Sequence, residues 1–216
     1  MDRDSPPDLT TGRLRMRLVE PADAAATARL MTLDVALRLS SWRHPMTVRQ
    51  AAARISRARR AAAARESVDY AILTRAEGEL LGWVGLAVVS DQGGRARLGY
   101  WLGTPHQGRG YMSEAVAAAL PAAVAFLRVE AVEAAVEETN AASVAILERL
   151  GMRRVGDRVE PMRWQGRAAH CVLFRLVFPQ AGRIDTAAES ARRTKPSAPA
   201  FQDRLSPRAS GATDEA

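Results

Sequence analysis

Between an apolar run at Leu98 to Leu102 and an Ala-rich run beginning near Met112, the chain places Gly108 and Gly110 on either side of Arg109. A glycine pair between a strand and a helix has the makings of an anion site. The first turn of a helix carries backbone N–H groups with no partner inside the helix, and the macrodipole makes that end electropositive. Neither glycine puts a Cβ in the way of a diphosphate, and either can adopt positive φ. An ordinary tight turn into a helix has the same spacing, so the glycines alone leave both readings open. A dinucleotide fingerprint is excluded by the missing third glycine, and a P-loop by the missing Gly-Lys-Ser/Thr ending. Asn140 and Ser143 are a second candidate pair. An Asn-x-x-Ser arrangement at a helix start puts both side chains near one end of the helix, which simple capping also explains.

Four separated blocks carry a resemblance: Leu98-Gly-Tyr-Trp-Leu102, Gln107-Gly-Arg-Gly-Tyr-Met-Ser-Glu-Ala115, Asn140-Ala-Ala-Ser143 and Leu147-Glu-Arg-Leu-Gly-Met152. In this order they resemble the GNAT N-acetyltransferase superfamily, and more narrowly the branch that acetylates ribosomal-protein N-terminal residues such as alanine. The likeness runs from about Leu9 to about Phe178. It implies direct transfer of acetyl from acetyl-CoA to a primary amine, a protein N-terminus or a small molecule, in a ternary complex and without a metal. By resemblance, Gln107, Gly108, Arg109, Gly110, Tyr111 and Met112 hold the pyrophosphate. Trp101 and Leu102 belong to a splayed strand that the pantetheine arm joins. Asn140 holds that arm, and Ser143 sits near the thioester sulfur as a proton donor. Trp42, Arg43 and His44 line the acceptor pocket, although these residues equally suit a core tryptophan and a loop histidine before proline. Relatives in this branch place a glutamate after the Leu-Gly-Phe block, where this chain has Met162 and Arg163. Glu160, serving with a one- or two-residue shift, is the candidate base, with Asp157 nearby, a water relay as the alternative, and Tyr100 and Tyr111 as other hydroxyls. The departure from the glutamate pattern motivates a rival reading, an acyl-CoA-binding module with weak or lost catalysis.

These residues need elements to position them. Leu14 to Leu18 alternates apolar and basic residues and reads as a strand, and Pro21 opens a helix through Leu33. Thr47 caps a second helix reaching about Arg65, whose residues Arg54, Arg57, Arg59, Arg60 and Arg65 read as a solvated face. Val68 to Thr74 and Leu80 to Val89 are strands joined at Glu77-Gly78, with a further turn at Gln92 to Gly94 before the strand Arg95 to Leu102. Gly99 suggests a bulge or a close backbone approach. A helix from Met112 to Phe126 contains Pro121, which predicts a kink near Ala117. Val129 to Val136 is a strand, Asn140 to Leu150 a helix stopped by Gly151, and Met152 to Val155, Val159 to Trp164 and Ala168 to Phe178 complete a hairpin. Together with the resemblance, this predicts an α/β GNAT fold: a mixed, mostly antiparallel sheet of about seven strands with helices on both faces.

The 216 residues suit one domain plus an appendage. Residues 9–179 form the predicted acetyltransferase domain, 1–8 a flexible start, and 180–216 a disordered Ala-, Pro-, Ser- and Arg-rich tail with one aromatic, Phe201. The tail carries six basic and five acidic residues, which almost cancel, so the excess positive charge of the chain belongs to the rest of it. That charge suits an anionic cofactor. Nucleic acid is not favoured as a partner, because no basic stripe is interleaved with aromatics. Cys171, the single cysteine, lies among Val172, Leu173 and Phe174 and reads as a buried strand thiol. His44, His106 and His170 are isolated, so no metal site is expected. No signal peptide or membrane span is visible, which predicts a cytoplasmic protein, and a homodimer is compatible with the reading.

Overall fold

In the computed structural model, residues 5–89, 94–162 and 165–178 are described. Eight strands form one open sheet: β1 (Leu9–Thr10), β2 (Leu14–Leu18), β3 (Ser67–Thr74), β4 (Leu80–Val88), β5 (Arg95–Leu102), β6 (Ala131–Glu137), β7 (Arg153–Met162) and β8 (Arg167–Val177). They are ordered β1-β2-β3-β4-β5-β6-β8-β7. Every pairing is antiparallel except β5 with β6. The strand beyond the expected number is β1, whose two residues are too few to show a period. The turn expected at Gln92-Gly93 and the tail from 180 lie outside the described residues.

Both faces of the sheet are covered, because side chains alternate along a strand. Tyr70 and Ile72 of β3 join a core with α4 (Tyr111–Leu127) and Leu147 of α5 (Ala141–Arg149). Ala71 and Leu73 join a second core with α1 (Ala24–Leu30), α2 (Leu33–Ala36) and α3 (Val48–Ala63). The first helical region is two helices and not one. A 3-10 turn at Pro21–Asp23 leads into α1, and Met31, with ψ 69°, breaks the run before α2. Helix α3 begins with a reciprocal cap: Gln50 N–H donates to Thr47 Oγ1 and Thr47 N–H to Gln50 Oε1. Helix α4 runs unbroken through Pro121. Helix α5 ends in a Schellman turn at Gly151 (φ 76°), where Gly151 N–H donates to Glu148 O and Met152 N–H to Leu147 O.

Three further expectations are corrected. The pairing of β4 with β5 runs in continuous register through Gly85↔Gly99, so Gly99 is not a bulge; the irregularity lies between Ile72 and Leu73. The pieces expected at 152–155 and 159–164 are one strand, β7, with a register shift between Arg154 and Gly156. The basic residues of α3 are not all simply solvated. Arg54 lies over the Trp42 ring at 3.9 Å and donates to Ser41. Arg59 donates to Val19 O, and Arg65, just beyond the helix, to Phe126 O. Their long side chains reach acceptors that the helix itself does not supply. Cys171 is buried, which pushes its thiol up.

Candidate active site

Helix α4 starts at Gly110, whose φ of 76° is left-handed, and Gly108 is left-handed too at 74°. An L side chain is strained at either position, which is why glycine occupies both. A Cβ on Gly108 would meet nothing within 4 Å, so it is backbone conformation and not crowding that selects this residue. Among the described residues nothing accepts a hydrogen bond from the backbone N–H groups of residues 108–113. Six donors at the positive end of a 17-residue helix are therefore left without a protein acceptor, a cradle that fits a diphosphate.

The cradle is fastened from the far end of the sequence. Glu114, in the first turn of α4, accepts from Thr11 Oγ1 at 2.5 Å, Arg13 N–H at 3.0 Å and Arg13 Nε at 2.7 Å. Burial opposes its charge, but the bonds from Thr11 and Arg13 outweigh that and hold its carboxyl below the usual range. Arg13 also donates to Arg109 O at 2.9 Å and lies 4.6 Å over the Tyr111 ring. From α5, Arg149 donates to Ser113 Oγ at 3.1 Å. Arg149 thus adds positive charge at the cradle beside the exposed Arg109, whereas the charge of Arg13 is balanced by Glu114. The Gln107 side chain is turned inward, donating to Leu102 O at 2.9 Å, and so ties the loop to the end of β5.

Next to the cradle the sheet opens. Parallel pairing of β5 with β6 is confined to Arg95↔Ala131, Ala96↔Val132 and Arg97↔Glu133, leaving β5 from Leu98 onward unpaired on that side. Glu133, buried at the last pair, accepts from Arg95 at 2.9 Å and from Arg175 at 2.9 and 2.7 Å, tying β5 and β8 to β6 where β5 parts from it. On the α4 side of the opening Tyr100 and Ser143 meet, their hydroxyl oxygens 2.7 Å apart. Burial pushes the Tyr100 phenol up to about 12, with the Ser143 bond acting the other way, so it is protonated at neutral pH. Asn140 caps α5, its Oδ1 accepting from Ser143 N–H at 3.3 Å.

The remaining sequence candidates are distributed unequally. Leu102 and Met112 are buried and present only backbone to the opening and the cradle. Trp101 packs with Trp42 and Trp83 on the opposite face, with ring centroids 5.2 and 6.3 Å away, so Trp42 belongs to the core. Arg43 and His44 are exposed, and His44 Nδ1 lies 3.0 Å from Met31 O. Glu160 is buried, with Oε1 2.7 Å from Arg158 Nε and 3.5 Å from Arg97 Nη1, neither aligned as a hydrogen bond. Asp157 is exposed and paired with Arg154. Arg163 lies outside the described residues. Spacing marks neither Arg13 nor Arg149 as a site residue: Arg13 belongs to no motif, and Arg149, although within the Leu147 to Met152 block, reaches the loop only through the fold. Among the described residues no group of three His, Cys, Asp or Glu side chains could hold a metal ion, and no helix is long and apolar enough to cross a membrane.

The family described as Acetyltransferase (GNAT) domain matches residues 13–153. A Bacillus licheniformis protein described as uncharacterized N-acetyltransferase p20 is 30% identical over 108 residues, half of this chain and 61% of the relative. The match therefore spans less than two thirds of that relative. Among solved structures, the ribosomal-protein-S5-alanine acetyltransferase of Vibrio fischeri superposes with a TM-score of 0.72 at 17% identity, covering 81% of this chain and 98% of that one. RimJ of Mycobacterium smegmatis, in complex with CoA-disulfide, gives a TM-score of 0.66 at 22% identity, covering 76% and 81%.

Proposed function

Because the chain belongs to the acetyltransferase (GNAT) domain family, we propose that it moves the acetyl group of acetyl-CoA to a primary amine by direct attack in a ternary complex. The observation that carries this reading is the cradle of unpaired N–H groups at Gly108 to Ser113 beside the place where β5 and β6 part. The cradle and its arginines would hold the diphosphate, and the free edge of β5 would hold the pantetheine arm. Acetyl-CoA supplies an activated acyl group on a thiol leaving group. Orientation of two substrates in one cleft provides much of the rate, up to roughly 7–11 kcal/mol in favourable systems. Ser143, backed by the protonated Tyr100, would deliver a proton to the departing sulfur, and proton transfer of this kind contributes about 10²- to 10⁴-fold.

The name of the Vibrio fischeri neighbour, a ribosomal-protein acetyltransferase, favours a protein amine as acceptor over a small-molecule amine. A second reading, an acyl-CoA-binding module with weak or no catalysis, is favoured by the position of Glu160 between two arginines, where its charge is already engaged. Thiol release from acetyl-CoA in the presence of peptides and amines separates the two. Appearance of an N-acetylated product supports transfer; acetyl-CoA binding without release supports the module. Ser143→Ala and Tyr100→Phe are each expected to lower kcat about tenfold or more while leaving acetyl-CoA affinity nearly intact. Wild-type turnover in both would remove the hydroxyl pair from the reaction.

A further inference from the structure

Strand β3 carries a carboxylate that the scheme above does not use. Asp69 lies on the same face of the sheet as Ala71 and Leu73, the face covered by α1 and α3. Its neighbour across β4 is Gly85, and the next residue in that row, on β5, is Gly99. With no side chain on either glycine, a trough runs from the Asp69 carboxylate, which fills the space over buried Gly85, to exposed Gly99 on the strand where the sheet opens. On one side it is bordered by the row of Trp83 and Trp101, on the other by the row of Ala87 and Arg97. The carboxylate leans into the trough: a Cβ on Gly85 would collide with Asp69 Oδ1, whereas a Cβ on Gly99 would meet nothing within 4 Å.

Charge distinguishes Asp69 from the other carboxylates of this face. Glu133 is bonded to Arg95 and Arg175, Glu160 is paired with Arg158 and Arg97, and Asp23 is bonded to Arg17. Among the described residues the Asp69 carboxylate accepts no hydrogen bond and forms no ion pair. The cation bearing on it is Arg54 of α3, itself beside Arg57 and engaged by Ser41 and Trp42. Burial pushes the Asp69 carboxyl up to about 6, with Arg54 acting the other way. An amine arriving over Gly99 would approach the opening from the face opposite Tyr100 and Ser143.

Resting on the acetyl-transfer reading, we propose that Asp69 receives the ammonium group of the acceptor and takes its proton, with the open space over Gly99 as the acceptor's path. The ammonium gives one proton to the carboxylate and becomes a neutral amine. Its lone pair forms the C–N bond to the acyl carbon as the C–S bond breaks, and sulfur keeps that bonding pair. The proton then lost from nitrogen reaches sulfur through Ser143 and Tyr100, and Asp69 returns its own to water. Amide, thiol and one proton leave.

The test is calorimetric binding of alanyl-alaninamide and of its N-acetylated form to the full chain with CoA present. Wild type is expected to prefer the free amine by at least about tenfold, the scale of a charge-assisted contact, and Asp69→Asn to lose that preference. Gly99→Val, which fills the trough without touching Asp69, should weaken both ligands. In kcat/KM against pH, the wild type should fall below about pH 6 as Asp69 becomes protonated, and Asp69→Asn should lack that limb. Preference retained in Asp69→Asn, or none in the wild type, overturns the assignment. A wild type that shows the Asp69-dependent preference yet acetylates no amine leaves the trough standing and removes the transferase reading. A wild type that acetylates, with Asp69→Asn unchanged in preference and pH profile, does the reverse.

Discussion

Gly108→Glu is expected to lower acetyl-CoA affinity by at least 100-fold, as read by isothermal titration. Two independent effects act together. The residue has φ 74°, where any L side chain is strained by roughly 1–3 kcal/mol. The new carboxylate would also stand where the diphosphate is proposed to lie, setting like charges against each other at the helix N-terminus. Gly108→Ala isolates the first effect, and its loss should be about tenfold. Because a Cβ here meets nothing within 4 Å, neither variant should disturb the core. Unchanged affinity in Gly108→Glu would remove the loop from the cofactor site.

The largest loss of stability is expected at Glu133, where Glu133→Ala should cost about 3 kcal/mol in urea unfolding, near the lower end of what breaking a buried ion pair costs. The lower end applies because Arg95 and Arg175, the cations left behind, keep 29% and 36% side-chain exposure. The dependence on pH has a definite sign. Burial disfavours the Glu133 carboxylate, but the bonds from Arg175 and Arg95 outweigh it and set its carboxyl below the ordinary value. A carboxylate lowered on folding stabilises the protein above its unfolded pKa, and this contribution is lost as pH falls through the folded one. Wild type and Glu133→Ala should therefore converge in stability below about pH 4. A constant difference down to pH 3 would mean that the glutamate acts by packing and not by charge.

Much of this architecture is legible in local sequence, and the reasons are specific. Strand β2 follows from the alternation in Leu14-Arg-Met-Arg-Leu18, and α3 and α5 are bounded by Thr47 and Asn140, whose side chains cap their own helices. The glycine loop is visible because its backbone admits few residue types. What local sequence does not reveal depends on partners far apart along the chain. The bond from Arg13 to Glu114 spans 101 residues, so Glu114 by itself reads as a favourable first-turn charge. Asp69 matters through two glycines on neighbouring strands, a juxtaposition that exists only once register is set. Trp42 could be read equally as core or pocket wall, since an indole suits either, and only the packing of three tryptophans decides.

The contact between Glu114 and the β1–β2 turn bears on how much entropy an incoming ligand must remove. Fraying at the start of α4 requires Thr11 and Arg13 to let go as well, so the amides of the glycine loop are kept aimed before anything arrives. Pre-organisation of this kind spares the ligand the cost of freezing a loop, about 0.5–1.5 kcal/mol for each side chain that would otherwise be immobilised. The first turn at the edge of the sheet thereby acts as a splint for the anion cradle.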